Sequence, residues 1–237
     1  MTHYDLSGRV SLRVTGGDER VLAAVAHQMD PCAASPPTGP ADVVLEFDAD
    51  VPTRFVDVQN PARDGMTTGW DGRALSLVVR GRACTLLRSP DTEELTLRCH
   101  PAFPIGSLFR TVVRPALQTA AVRRDTVAVH SAAVEIDGRA VLVAGWSESG
   151  KTETALALME DGARWVSDKW TLLGADGAAS AFPINVGVRR WVLPYLPQLA
   201  AGLPRASRAQ VAVAGAGARA TSPLRRQHIE DRTQIRE

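Results

Sequence analysis

The run Gly145-Trp146-Ser147-Glu148-Ser149-Gly150-Lys151-Thr152 fits G-x-x-x-x-G-K-[ST] at every fixed position. Each fixed type has a physical reason. Glycines let the backbone curl so that successive N–H groups, including those of Ser147 and Ser149, turn inward toward phosphate oxygens. Lys151 supplies a point charge for the β- and γ-phosphates, and the Thr152 hydroxyl suits Mg²⁺. A helix starting at this point adds the positive end of its dipole. The chemistry is that of a nucleoside triphosphate held with Mg²⁺, against the plainer reading of a structural glycine turn. Glu148, inside the loop, would repel phosphate unless it faces out or meets a cation, and an outward, solvated side chain is the simpler expectation. Glu153 directly follows the Lys-Thr pair, near a bound metal or simply at the favourable end of a helix dipole. Asp168 comes seventeen residues after Lys151 and ends the apolar run Ala163–Ser167. That is where a metal-binding or base-like acid is expected, although a strand-terminal Asp also serves as a cap or turn residue. Lys169 follows it.

These residues need elements to position them. Residues 126–136 (TVAVHSAAVEI) and 139–145 (RAVLVAG) are apolar runs separated by Asp137-Gly138. An Asp-Gly pair between such runs predicts a type I′ hairpin, because both central positions need positive φ. The strand that feeds the glycine loop is then the second arm of an antiparallel hairpin, rather than a parallel strand entered from a helix. A helix is expected over 151–161, strands over GARWVSD and KWTLLG, and a further hairpin through Asp176-Gly177 into AASAFPI. The expected core, residues 125–200, is an α/β arrangement: a mixed, largely antiparallel sheet with a P-loop and one long helix.

Residues 1–124 read as a β-rich α+β lobe. RVSLRVT at 9–15 alternates as a half-buried strand does, and 18–29 has helical periodicity. The Pro/Ala/Ser/Gly segment 30–42 reads as a loop. Short strand-like runs follow at 43–48, 74–80, 83–88 and 95–99, and 106–124 reads as helical with Pro115 as a kink or helix start. Residues 201–237 form an Ala/Gly/Arg-rich tail of low complexity, ending in a charged, helix-compatible stretch that suits a solvated end or an oligomerisation segment.

Composition narrows the function classes. The chain has 237 residues, 45% hydrophobic and 22% charged, with a net charge of +1. This is ordinary for a globular protein and points to neither nucleic acid nor a membrane surface as partner. Of 27 basic residues only Lys151 and Lys169 are lysines, which makes both conspicuous. Cys32, Cys84 and Cys99 are odd in number and lack CxxC spacing, against a disulfide framework or zinc site. With no signal-like N-terminus and no long apolar run, the expectation is a cytoplasmic protein.

The order of parts resembles the HPr kinase/phosphorylase superfamily, kin to ATP-dependent phosphoenolpyruvate carboxykinase. His130-Ser131-Ala132-Ala133-Val134 leads through a turn into the glycine loop. Ser149-Gly150-Lys151-Thr152-Glu153-Thr154-Ala155-Leu156 opens the helix, and Gly162-Ala163-Arg164 leads into Val166-Ser167-Asp168. The resemblance covers roughly residues 126–185. The first lobe fits loosely, and looks more like the small HPr-kinase-related proteins of peptide and natural-product clusters. The resemblance implies that Lys151 and Thr152 hold the β/γ-phosphates and Mg²⁺. It also implies that Asp168 orients or deprotonates an acceptor hydroxyl, and that His130 lies near the phosphates. A histidine on an apolar strand is otherwise more often a satisfied core residue. Where the family has a second acid, this chain has Lys169, which removes a metal ligand and puts a cation beside the site. Arg189 and Arg190 are candidate substitutes for the family's later arginine signature, against the plainer reading of a surface pair.

Two function classes follow. One is a kinase moving the γ-phosphoryl group of ATP to a serine-type hydroxyl of a peptide, protein or small molecule, with Asp168, His130 and Lys169 at the chemistry. The other is a nucleotide-binding accessory or regulatory module without transfer, serving a biosynthetic partner, and Lys169 is the feature that favours it. A carboxykinase-like reaction needs further metal and oxyacid ligands that the sequence does not offer. The resemblance leaves a homo-oligomer open.

Overall fold

The computed structural model describes residues 1–202 except 36–38, 52–56, 64–65, 89–92, 185, 187 and 189–191, so the tail from 203 and the Arg189-Arg190 pair lie outside the described residues. The chain divides into two units, Met1–Val127 and Ala128–Glu237. Among the described residues no helix is long and apolar enough to cross a membrane. The fold is α/β, with mixed, largely antiparallel strand pairing and few helices.

In the first unit, β1 (Thr2–Leu6), β2 (Val10–Gly16), β3 (Ala33–Ala34), β4 (Val43–Phe47), β5 (Asp57–Arg63), β6 (Met66–Trp70), β7 (Ala74–Val79), β8 (Arg82–Arg88) and β9 (Leu95–Cys99) form one nine-stranded sheet. Its order is β3-β1-β2-β4-β9-β8-β7-β6-β5. The run β5 to β9 is a meander of antiparallel neighbours. β4 is different. It lies parallel to both β2 and β9, and its Val43, Val44 and Leu45 are all buried, as a strand covered on both faces requires. The parallel pairing needs a crossover, and α1 (Glu19–Met29) supplies it between β2 and β4. Asp18 caps α1 through the Val21 amide, and Val21, Val25 and Met29 form its buried stripe.

The helical expectation over 106–124 holds with one refinement. α2 (Ile105–Leu108) passes through a π turn, Phe109–Val113, into α3 (Arg114–Val122). Pro115 is the second residue of α3 and directly follows the π turn, the kind of helix interruption that a proline inside a helical run accompanies. Ala116, Leu117, Ala120 and Ala121 are the buried face of α3, which packs against β2 and β4.

The run 126–136 is not one strand. It breaks at His130 into β10 (Thr126–Val129) and β11 (Ser131–Ile136), and these belong to different sheets. β11 pairs with β12 (Arg139–Ala144) and with β13 (Arg164–Ser167), both antiparallel. β14 (Thr171–Gly174) lies between β10 and β15 (Ala179–Ala181), pairing with β15 antiparallel. The expected single mixed sheet of the core is therefore two three-stranded sheets, and the parallel pairs β2–β4 and β4–β9 lie in the first unit. The Asp137-Gly138 hairpin is as expected: Ile136 faces Arg139, with φ of 50° at Asp137 and 76° at Gly138.

α4 (Lys151–Glu160) is buried on more than one side. Ala155 packs with Ala132 and Val134 of β11, ringed by Val143, Leu158, Met159 and Trp165. Leu156 packs instead with Val188, Val192 and Leu196, just before the short α5 (Pro197–Gly202). Glu160 ties these parts together, accepting from the Gln198 and Leu199 amides.

Candidate functional site

The glycine loop, residues 145–150, leaves the end of β12 and enters α4, a strand–loop–helix passage in which both flanking elements are fixed by packing. Its two glycines are needed for different reasons. A Cβ on Gly145 would come 2.6 Å from the Ser149 hydroxyl, so a larger residue there requires the Ser149 side chain to move. Gly150 has φ of 84°, the left-handed conformation that starts the helix, and its carbonyl accepts the first α4 bond from Thr154. Within the loop the Ser149 amide donates to the Trp146 carbonyl. Ser147, Glu148 and Ser149 are exposed, as an outward Glu148 carboxylate would be, and Glu148 also adopts positive φ at 62°. Trp146 is 90% exposed, an uncovered aromatic face at the loop.

Lys151 is buried, 8% exposed, and its ammonium folds back over the loop. Nζ donates to the carbonyls of Gly145 (2.9 Å) and Trp146 (2.7 Å). A charge this enclosed is tolerated because backbone dipoles replace water around it. The next residue makes the decisive contact. Thr152 Oγ1 donates to Asp168 Oδ1 at 2.8 Å, joining the first turn of α4 to the end of β13 across sixteen residues. Asp168 is 2% exposed, and its other oxygen, Oδ2, is buried with no hydrogen-bond partner. A buried carboxylate oxygen without a partner is costly, and this one lies on the acid that the glycine loop's Thr152 contacts. The hydroxyl and the carboxylate are hard oxygen donors, which suits Mg²⁺.

Three buried hydroxyls meet at Ser167, the residue before Asp168 in the chain, and at Thr171, three residues after it. Thr171 Oγ1 lies 2.6 Å from Ser167 Oγ and accepts from Ser131 Oγ at 2.9 Å, and all three residues are buried. They tie β11, β13 and β14 together, and so link the two small sheets. This group is not among the candidates that the sequence offers, although Ser167 and Thr171 stand close to Asp168 in the chain. Thr171→Val should cost about 1–3 kcal/mol, because it strands two buried hydroxyls. Urea unfolding would show this as a lower midpoint with unchanged slope.

Between Asp168 and Thr171 the chain turns sharply. The Trp170 amide donates to the Asp168 carbonyl at 2.8 Å, and Lys169 has φ of 65°. This is a positive-φ γ-turn, a strained conformation for a residue with a side chain. Lys169 is exposed on it, adjacent to the acid. His130 is exposed at the break between β10 and β11, and its ring lies 5.1 Å from that of Trp170. It is therefore neither a core histidine nor a residue of the strand interior. Glu153 is half-buried in the first turn of α4, where the helix dipole favours it, and no hydrogen bond links it to Thr152 or Asp168. Among the described residues no cluster of three or more His, Cys, Asp or Glu side chains is arranged to hold a metal. The structure thus brings Lys151, Thr152 and Asp168 together at the loop, with Lys169 next to them in the chain.

Comparison with family models, curated proteins and solved structures gave no match. The resemblance to the HPr kinase/phosphorylase superfamily accordingly rests on the quoted residues alone.

Proposed function

We propose that the second unit binds ATP with Mg²⁺ at residues 145–153 and transfers the γ-phosphoryl group to a hydroxyl acceptor. The observation that carries this reading is Asp168. Its Oδ1 is engaged by Thr152, its Oδ2 has no partner, and it sits beside a loop whose lysine is buried. A structural turn would not need to bury an acid with one oxygen unpaired.

Phosphoryl transfer demands positioning and charge neutralisation more than covalent chemistry. Loop amides and the N-terminus of α4 would cradle the phosphates, with Lys151 moving from the Gly145 and Trp146 carbonyls onto the β/γ oxygens. Mg²⁺, held through Thr152 and Asp168, would neutralise charge on the same phosphates. Asp168 Oδ2 would accept the acceptor's proton as its oxygen bonds to phosphorus and the β–γ bridge breaks to give ADP. Lys169, exposed beside it, is a cation for the transferring group, and His130 borders the same turn through Trp170. The acceptor class, a serine-type hydroxyl of a peptide, protein or small molecule, comes from the resemblance.

A second reading is favoured by one observation, the lysine at the place of the second acid. It is a nucleotide-binding module that serves a biosynthetic partner without transfer. Incubation with γ-labelled ATP, Mg²⁺ and a panel of free serine, threonine, seryl peptides and producer-cell extract separates the two. Label on an acceptor that disappears in Lys151→Ala and Asp168→Asn is the expected result. ATP binding with no labelled product supports the module.

A further inference from the structure

In the β12-β11-β13 sheet β12 and β13 are the two edges, and β12 is the one that runs into the glycine loop. The two-residue turn makes Ile136 and Arg139 a hydrogen-bonded pair, so 134 with 141 and 132 with 143 are also such pairs. The amides and carbonyls of Ala140, Leu142 and Ala144 therefore point away from β11. Among the described residues nothing pairs with them. Exposed edges are usually guarded by lysine, proline, a bulge or an inward charge. Arg139-Ala-Val-Leu-Val-Ala144 carries a charge only at its first residue and has no lysine, proline or bulge, and Ala140, Val141 and Ala144 are exposed.

The edge is complementary to itself. Laid antiparallel about Leu142, residue 142 faces 142 and 140 faces 144. The outward positions then become hydrogen-bonded pairs, each exchanging two backbone bonds. No like charges oppose, because Arg139, the only charged residue of β12, falls opposite Gly145. That last pairing matters most. Arg139, Val141 and Val143 share one face of the strand, and Val143 packs with the Ala155 and Leu158 side of α4. Directly opposed residues point to the same side of a sheet, so the arginine of a second copy arrives on the α4 side, where the loop passes into the helix.

We propose that two copies of this chain pair edge to edge through β12, and that Arg139 of each copy reaches the glycine loop of the other, where its guanidinium meets the phosphates of a nucleoside triphosphate. The arginine's role rests on the ATP reading above, whereas the pairing does not. Guanidinium binds phosphate in a two-pronged fashion, and an arginine supplied in trans is an established way to neutralise a transferring phosphoryl group.

Sedimentation velocity on the full chain across a concentration series, with and without edge variants, tests the pairing. Leu142→Pro deletes an outward amide without removing a β11 bond, and Ala140→Lys, at an exposed position, guards the edge. The wild type should be dimeric and both variants monomeric, with circular dichroism confirming that they fold. Arg139→Ala should stay dimeric and bind ATP roughly tenfold or more weakly, with ADP less affected. Ala140→Lys should reproduce that loss, and adding Arg139→Ala to it should change nothing more. A monomeric wild type, or a dimer indifferent to both edge variants, overturns the pairing. ATP affinity indifferent to Arg139 in a dimer overturns the arginine's role. Absence of any Lys151-dependent ATP binding removes the ATP reading and the arginine's role together, and leaves the dimer to be judged by sedimentation.

Discussion

Asp168→Asn is expected to slow phosphotransfer by roughly 10²–10⁴-fold, the range for loss of a positioned proton acceptor, while the protein stays folded. The amide keeps an oxygen for the Thr152 hydroxyl but removes the negative charge at the buried, unpartnered Oδ2. Two further results follow from the same geometry. The substitution relieves a buried charge, so the nucleotide-free variant should be no less stable than the wild type. The rise in Tm caused by Mg²⁺ and ATP together, however, depends on how tightly the folded state binds them. Because Asp168 is proposed both to help hold Mg²⁺ and to take the proton, Asp168→Asn should lower that rise without abolishing it; an unchanged rise would leave Asp168 the proton acceptor alone, and complete loss would make the metal its main role. Differential scanning fluorimetry with and without Mg²⁺ reads this directly.

Lys151→Ala is expected to have the larger effect on binding. Truncating one partner of a buried, hydrogen-bonded charge contact costs about 2–5 kcal/mol. This corresponds to roughly 30-fold or more in Kd for ATP. The substitution also deprives the Gly145 and Trp146 carbonyls of their donor, so a loss of about 0.5–1.5 kcal/mol in stability per bond accompanies it. The two consequences separate by measurement: the stability loss is present without nucleotide, the affinity loss only with it. Lys151→Arg should not rescue binding, because a planar guanidinium cannot fold into the same enclosed position.

Local chemistry was legible in the sequence wherever neighbours in the chain decide it. Asp137-Gly138 announces its turn because both positions must take positive φ, and the structure has both. Gly145 and Gly150 mark the loop, one through a close approach to Ser149 and the other through its φ. The end of β13 was placed within a residue of Asp168 from its apolar run. What was illegible depends on partners distant in sequence. Nothing in TVAVHSAAVEI says that its halves join different sheets, since both halves are apolar and strand-like. The parallel pairing of β4 rests on β2 and β9, whose partner residues lie 31 and 52 positions away, and its local trace is the unbroken apolar run Val43–Leu45. The hydroxyl group at Ser167 and Thr171 needs Ser131 to meet Thr171 across forty residues. The γ-turn at Lys169 was hidden for another reason: lysine gives no signal of positive φ, so strain there shows only in the backbone.

The most direct measurement is isothermal titration calorimetry of ATP into the wild-type protein with Mg²⁺, without Mg²⁺, and into Lys151→Ala. Binding of one ATP per chain that needs Mg²⁺ and falls by roughly 30-fold or more in Lys151→Ala is the predicted result. No heat of binding in the folded wild type, or binding that ignores both Mg²⁺ and Lys151, would contradict it and leave residues 145–152 as a structural turn.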